Sequence, residues 1–165
     1  MITVDVEIPV DSIKSELEAA VWKYAASLEE KERAKVIRNI KSDHAYDLTD
    51  ALLIDNSFDL RLKEVVTALR DFGAILVQVD KILYMRLSMS NRWLGSAVTM
   101  QSLTKGYVLD GMMADWLDNT APAEAAKYSG RLPDDMKMIK AEAYSLGKPS
   151  LAQPQVQQQG NTPQA

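Results

Sequence analysis

The sequence predicts a mostly α-helical bundle with a short N-terminal strand and an extended C-terminal tail. Three observations support this class. Apolar residues recur at helical spacing through most of the chain, capping and turn residues divide the pattern into segments, and residues 150–165 carry no charge and few apolar side chains. We therefore expect a helical domain over residues 1–149 and a low-complexity Gln/Pro tail over residues 150–165.

Composition narrows the classes of function. With 165 residues and 47% hydrophobic content, the chain is long and apolar enough to bury one core. Its net charge of −4 is opposite to that of a protein that coats nucleic acid, so such binding would need a local basic face. The chain has no cysteine, which excludes disulfides, thiolate zinc sites and cysteine nucleophiles.

The N-terminal segment has the period of a β-strand, because apolar Ile2, Val4, Val6 and Ile8 alternate with other residues. This alternation differs from the basic start and apolar run of a signal peptide, so we expect no export by that route. Apolar stretches such as residues 74–77 are far shorter than the roughly 20 residues that cross a bilayer. We therefore expect no membrane-spanning segment.

Three short helices are predicted after the strand. The first covers residues 12–26 and presents one apolar face. The second covers residues 28–42, begins at a capping box of Ser27 and Glu30, and is mostly charged. The third covers residues 43–54 and ends at the turn-forming residues that follow it, Asp55, Asn56 and Ser57.

The most regular pattern in the chain is a heptad seam. Spacings of four and three alternate along the apolar positions Phe58, Leu62, Val65, Leu69, Phe72, Leu76, Val79 and Leu83. A seam kept for about four heptads is typical of one long, packed helix. We therefore predict a helix over residues 57–90, interrupted only by Gly73 and roughly 50 Å long, as the spine of the fold.

The rest of the body is also predicted to be helical. Residues 95–106 fit either a helix or a loop, and residues 107–118 present a helical apolar face. Pro122 and Gly130 bound a short helix, and a last helix runs from residue 132 to Gly147. The tail that follows cannot offset its ordering entropy alone, so we expect a partner or a neighbouring copy to order it.

An acidic cluster is a candidate for metal chemistry. Asp43, Asp47 and Asp50 fall on one face of a helix beside His44, where carboxylates could hold a hard cation. The alternative is that Asp43 is an N-cap and its neighbours are solvated acids in the first turn. The sole histidine cannot supply the ligands of a histidine-based metallohydrolase.

A larger acidic set adds the preceding helix, so that Glu29 and Glu32 could face Asp47 and Asp50 across two antiparallel helices. This arrangement is similar to that of the all-α nucleotide pyrophosphohydrolases. The resemblance implies four acidic residues that bind magnesium around a triphosphate. The family's motif has glutamate where this chain has Asp47, and the surrounding apolar pattern is loose.

Two further groups are candidates for binding surfaces. A basic side of the second helix that could contact phosphates consists of Arg33, Lys35, Arg38 and Lys41, and the glutamates between them favour an ordinary solvated helix. An aromatic and methionine group that is either a partner-binding patch or core consists of Trp93, Tyr107, Met112, Met113 and Trp116. The isolated glycines match no phosphate-binding loop.

The segment from Met112 to Asp118, with the sequence MMADWLD, resembles the head-to-tail adaptor proteins of tailed bacteriophages. A small helical body and a long uncharged tail are further points of similarity, whereas the segment's late position departs from that family's order. The resemblance implies a non-enzymatic ring subunit in the neck of a virion, attached to the portal by its C-terminal segment. It also implies a location in the virion or the host cytoplasm.

From these observations we predict a structural or interaction protein without enzymatic activity, and specifically a connector subunit. It would form a homo-oligomer with tail-mediated contacts and bind a portal-like protein. We assign no catalytic, cofactor-binding or metal-binding residue, no cofactor, and no membrane or nucleic-acid partner. Two alternatives stay open: a metal-dependent pyrophosphohydrolase that uses Glu29, Glu32, Asp47 and Asp50, and a small regulator that binds nucleic acid or protein.

Overall fold

The computed structural model describes residues 1–37 and 48–147, and the side chains of residues 48–51 lie outside this description. Within these limits the chain is mostly helical, as the sequence predicts, and it also contains a three-stranded antiparallel sheet. In chain order the elements are β1 Ile2–Ile8, α1 Val10–Ala25, α2 Glu30–Ile37, α3 Leu48–Ala68, β2 Ile75–Val79, β3 Ile82–Met89, α4 Ala97–Leu117, α5 Pro122–Ser129 and α6 Leu132–Ala143. A short 3-10 turn, Arg70–Phe72, follows α3.

The sheet has the order β1-β3-β2, so β3 is its central strand. The face toward the helices is apolar, and its buried members are Val6, Ile8, Met85, Leu87 and Met89. On the opposite face, Arg86 donates two hydrogen bonds to the carboxylate of Asp5, at 2.7 and 2.8 Å. The alternation of β1 that predicts a strand therefore places one side of that strand in the core.

Helix α4 is the most buried element of the fold. It packs against β1 and against α1, α3, α5 and α6. Its buried residues lie on several sides and include Met100, Thr104, Tyr107, Val108, Gly111, Met112, Met113, Ala114, Trp116 and Leu117. Ser96 caps its N-terminus by accepting a hydrogen bond from the backbone N–H of Val98 at 3.2 Å. The range 95–106, which the sequence left open, is therefore mainly the first half of this helix.

The predicted helix over residues 57–90 is wrong beyond Ala68. Its first half is confirmed, because Phe58, Leu62, Val65 and Leu69 are all buried. The chain then turns at Gly73, which has a left-handed φ of 62°, and enters the hairpin of β2 and β3. The second half of the heptad seam therefore lies on strands.

The hairpin forms because the local residues favour strands and a tight turn. Residues 75–79 are rich in β-branched side chains, which favour extended backbone. Asp80 and Lys81 have positive φ values of 48° and 68° and join the strands in a two-residue turn. A turn with two positive φ values matches the twist of paired strands. Apolar spacings of three and four residues alone could not reveal the hairpin, because they carry no information about the turn between its strands.

Two smaller predictions are also wrong. The turn expected at residues 55–57 is helical, because Asp55 pairs with Lys14 at 2.6 Å and Ser57 donates a hydrogen bond to Asp115. These tertiary partners satisfy side chains that would otherwise favour a turn. The capping box at Ser27 is replaced by a hydrogen bond from its hydroxyl to the carbonyl of Tyr24 at 2.7 Å.

The remaining element predictions that fall on described residues agree with the structure to within a few residues, and residues 38–47 of the second and third predicted helices lie outside the described residues. Helix α1 covers most of the predicted range 12–26, and α5 begins at Pro122 as expected. Helix α6 begins at Leu132, although it ends at Ala143 rather than at Gly147. The tail prediction for residues 150–165 lies outside the described residues.

The correction of the long helix predicts different effects for two leucines of the same heptad seam. Leu69 is fully buried, so Leu69→Ala should lower the free energy of unfolding by about 2 to 5 kcal/mol through lost burial and a residual cavity. Leu76 is 39% exposed on the hairpin, so Leu76→Ala should cost less than about 1 kcal/mol. Urea unfolding of both variants measures the difference, and equal losses would contradict the hairpin.

Candidate interaction surface

The acidic set proposed for metal binding is only partly described. Glu32 lies on α2, where it accepts a hydrogen bond from Lys35 at 2.8 Å, and Glu29 lies just before that helix. Asp47, like Asp43 and His44, lies outside the described residues, as does the side chain of Asp50. Over the described part of the chain, no group of three histidine or acidic side chains is placed to hold a metal ion. The facing of the two acidic pairs stays a prediction.

The basic side of α2 is used in part by the fold itself. Arg33 donates hydrogen bonds to the carbonyls of Ala25 and Leu28, both at 3.2 Å, and so satisfies backbone groups at the end of α1. Arg38 and Lys41 lie outside the described residues. Arg33 therefore has a structural role that competes with phosphate binding.

The aromatic and methionine group is core rather than an exposed patch, except for Trp93, which is only partly buried against the core. Met112, Met113 and Trp116 are at most 2% exposed, and Tyr107 is also buried. The indole N–H of Trp116 donates to the carbonyl of Val36 at 2.9 Å, which links α4 to α2. These contacts account for most of the segment that resembles the phage adaptors.

Asp115, in the same segment, belongs to a polar network between α3 and α4. The guanidinium of Arg61 donates to both carboxylate oxygens of Asp115, at 2.6 and 3.2 Å, and also binds Glu64 at 3.1 Å. Glu64 in turn accepts a hydrogen bond from the hydroxyl of Tyr107 at 2.7 Å. Desolvation, with the adjacent Glu64 carboxylate as a second cause, raises the pKa of Tyr107 to about 12. This network joins two helices with paired charges, and sequence reasoning missed it because its partners are about fifty residues apart.

A cleft of about 690 Å³, lined by both charged and apolar residues, lies at the end of β1. It is bounded by the hairpin turn, the start of α1 and the middle of α3. Its lining includes Glu7, Asp11, Asp59 and Lys81, and the ion pair of Lys14 with Asp55 lies in it. Four acids and two lysines line this cleft, and one acid, Asp55, is already paired with Lys14, so the cleft has charges of both signs.

The clearest exposed apolar feature is what we call the hairpin edge: strand β2 together with Ile82. The exposed fraction of the residue surface is 53% for Ile75, 39% for Leu76, 46% for Val79 and 40% for Ile82. Residues 75–79 contain no charge, and within the described chain β2 has a single strand neighbour, β3. An apolar edge strand of this kind is a template for pairing with another chain.

The opposite edge of the sheet differs in chemistry. Strand β1 carries Thr3, Asp5 and Glu7 on the same face on which β2 carries Ile75, Val77 and Val79. Charged side chains on an edge strand disfavour pairing with other sheets. The two edges of one sheet are therefore unequal, with β1 protected by charge and β2 unprotected.

A smaller apolar group lies near the start of α4. Leu94 and Val98 are each 71% exposed, and Leu146 nearby is 49% exposed. Trp93 and Leu146 form an isolated β-bridge, and the indole N–H of Trp93 donates to the carbonyl of Glu142 at 2.9 Å. This group lies on helix and loop positions, where the N–H of Leu94 already donates to the carbonyl of Ser145 at 2.9 Å.

Comparison of the chain with protein-family models, curated proteins and solved structures gives no match. In residues 1–37 and 48–147, none of the helices has the length and hydropathy required to cross a bilayer.

Two glycines of α4 provide a matched test of the polar network. A Cβ on Gly111 would lie 2.5 Å from Cδ of Arg61, whereas a Cβ on Gly106 would meet no atom within 4 Å. Gly106→Ala should therefore stabilise the protein by up to about 1 kcal/mol through helix propensity. Gly111→Ala should instead destabilise it by about 1 to 3 kcal/mol, because Arg61 must move away from Asp115. Chemical unfolding measures both, and stabilisation by both alanines would contradict the role of Arg61.

Proposed function

We propose that this protein is a non-enzymatic structural protein that assembles with copies of itself and with a protein partner. The observation that carries the proposal is the hairpin edge, an uncharged and exposed edge strand with apolar side chains on both faces. Exposed apolar strands favour aggregation unless a partner covers them, so this edge supports an assembly role.

The specific form of this proposal is a head-to-tail connector subunit of a tailed-phage virion, with a portal-like protein as its partner. The residues that support it are the MMADWLD segment, the small helical body and the uncharged tail of residues 150–165. Within that segment, burial of Met112, Met113 and Trp116 explains the apolar positions, and pairing with Arg61 explains Asp115. The segment therefore supports a shared packing pattern more directly than a shared binding site.

The assembly proposal predicts that the purified chain forms a homo-oligomer in which the tail participates. Deletion of residues 150–165 should leave the melting temperature nearly unchanged, because the tail contributes little apolar area to a core. The same deletion should weaken assembly, which sedimentation velocity of the full-length and truncated chains measures. A strictly monomeric full-length chain, or a truncation that unfolds the body, would contradict this prediction.

The runner-up function, a metal-dependent pyrophosphohydrolase, predicts activity that we do not expect. Incubation with Mg²⁺ or Mn²⁺ and a set of nucleoside triphosphates should release no pyrophosphate. Turnover that is lost in Asp50→Asn and kept in Asp59→Asn, an exposed acid on the same helix, would establish the enzyme and overturn the structural proposal.

A further inference from the structure

The backbone of β2 has hydrogen-bonding groups that β3 does not use. In a hairpin closed by a two-residue turn, the residues that flank the turn form a hydrogen-bonded pair, and such pairs alternate along the ladder. Val79 opposite Ile82, and Val77 opposite Tyr84, are therefore hydrogen-bonded pairs. The N–H and C=O groups of Leu76 and Gln78 consequently point away from β3, toward the edge that has no strand neighbour among the described residues.

These outward groups define how another strand would pair with β2. An antiparallel copy of β2 centred on Val77 places Leu76 of each copy opposite Gln78 of the other, so that both outward residues exchange their two backbone hydrogen bonds. If the pairing were centred on Leu76 or on Gln78, one of these two outward residues would lie opposite a residue outside β2. The register centred on Val77 is therefore the one that pairs the outward backbone groups of both Leu76 and Gln78 within β2.

The side chains are self-complementary in the same register. On the outer face, Ile75 of one copy lies opposite Val79 of the other, and the two Val77 side chains meet at the two-fold axis. Apolar and β-branched cross-strand pairs of this kind stabilise antiparallel sheets. No charge within Ile75–Val79 opposes the contact, and the same register places Asp80 opposite Ala74 and Lys81 opposite Gly73.

We infer that the hairpin edge is the site where two copies of this chain associate, by antiparallel pairing of β2 with β2 into a continuous six-stranded sheet. This inference rests on the proposed self-assembly and names one surface that takes part in it. Pairing of β2 with β2 of a second copy fits better than pairing of β2 with β1 of that copy. Strand β1 would place Asp5 and Glu7 against the apolar side chains of β2. A two-fold contact of one surface with itself is also the commonest form of homo-oligomer interface.

The first experiment compares two identical substitutions at exposed valines. Val79→Lys adds charge to the hairpin edge, whereas Val98→Lys adds it to α4 at a position that is 71% exposed. Sedimentation velocity over a wide range of protein concentration should show dimers for the parent chain and for Val98→Lys, and monomers for Val79→Lys. Circular dichroism and thermal melts of both variants show whether each keeps the fold. Folded Val79→Lys that associates as strongly as Val98→Lys would overturn the inference.

The second experiment tests the register, using the absence of natural cysteines. In the inferred pairing, Val77→Cys places two thiols across a non-hydrogen-bonded pair, where the backbones approach to roughly 4.5 Å between Cα atoms. Ile75→Cys places its two thiols four residues apart along the sheet, roughly 13 Å at about 3.3 Å per residue. Mild oxidation should therefore give a reducible dimer for Val77→Cys and little dimer for Ile75→Cys.

The two experiments separate failure of the inference from failure of the proposed function. An oligomer that persists in Val79→Lys and gives no Val77→Cys disulfide would overturn the β2 contact and leave self-assembly through another surface. A parent chain that is monomeric at every concentration, with no Val77→Cys dimer, would overturn both. Equal crosslinking of Val77→Cys and Ile75→Cys would reject the proposed register.

Discussion

Burial of α4 is the constraint on which the rest of the structure depends. Its apolar and small residues lie on several sides, so one neighbouring element cannot cover them. Helices α1, α3, α5 and α6 and strand β1 all pack against it, and together they provide that cover. The sheet follows from the same requirement, because the apolar face of β1 and β3 closes the core on one side.

Close packing around α4 also explains why charges occur between helices. Arg61 reaches Asp115 across Gly111, where any larger residue would occupy the path of its side chain. A partly buried carboxylate requires such a partner, because an unpaired charge at this depth would lose solvation without compensation. Arg61, Glu64, Asp115 and Tyr107 thus form a paired set that holds α3 in a defined position on α4.

The sequence predicted helices well where one face of a helix meets the core. The buried seam Phe58, Leu62, Val65 and Leu69 is an example, as is the start of α5 at Pro122. Prediction from the sequence pattern failed for the hairpin, because Leu76, Val79 and Leu83 continue the heptad spacing by coincidence. The information that distinguishes the two structures is local: Gly73 can adopt a left-handed φ, and residues 75–79 are rich in β-branched side chains. The polar network could not be predicted in the same way, because no local pattern specifies which acid Arg61 will meet across a helix interface.

The hairpin therefore changes which part of the chain informs function. If residues 75–83 were one side of a buried helix, their apolar side chains would be explained by packing alone. On strands, several of the same side chains are exposed and lie beside backbone groups without a strand partner in the described chain. The MMADWLD segment, in contrast, becomes less informative about function, because contacts within the fold account for its apolar residues and Asp115. A residue whose identity is explained by internal packing says little about a partner, whereas an exposed, uncharged edge opposite a charged one is not required by the core. The asymmetry between β1 and β2 is thus the feature of this fold that points most directly to contact with another chain.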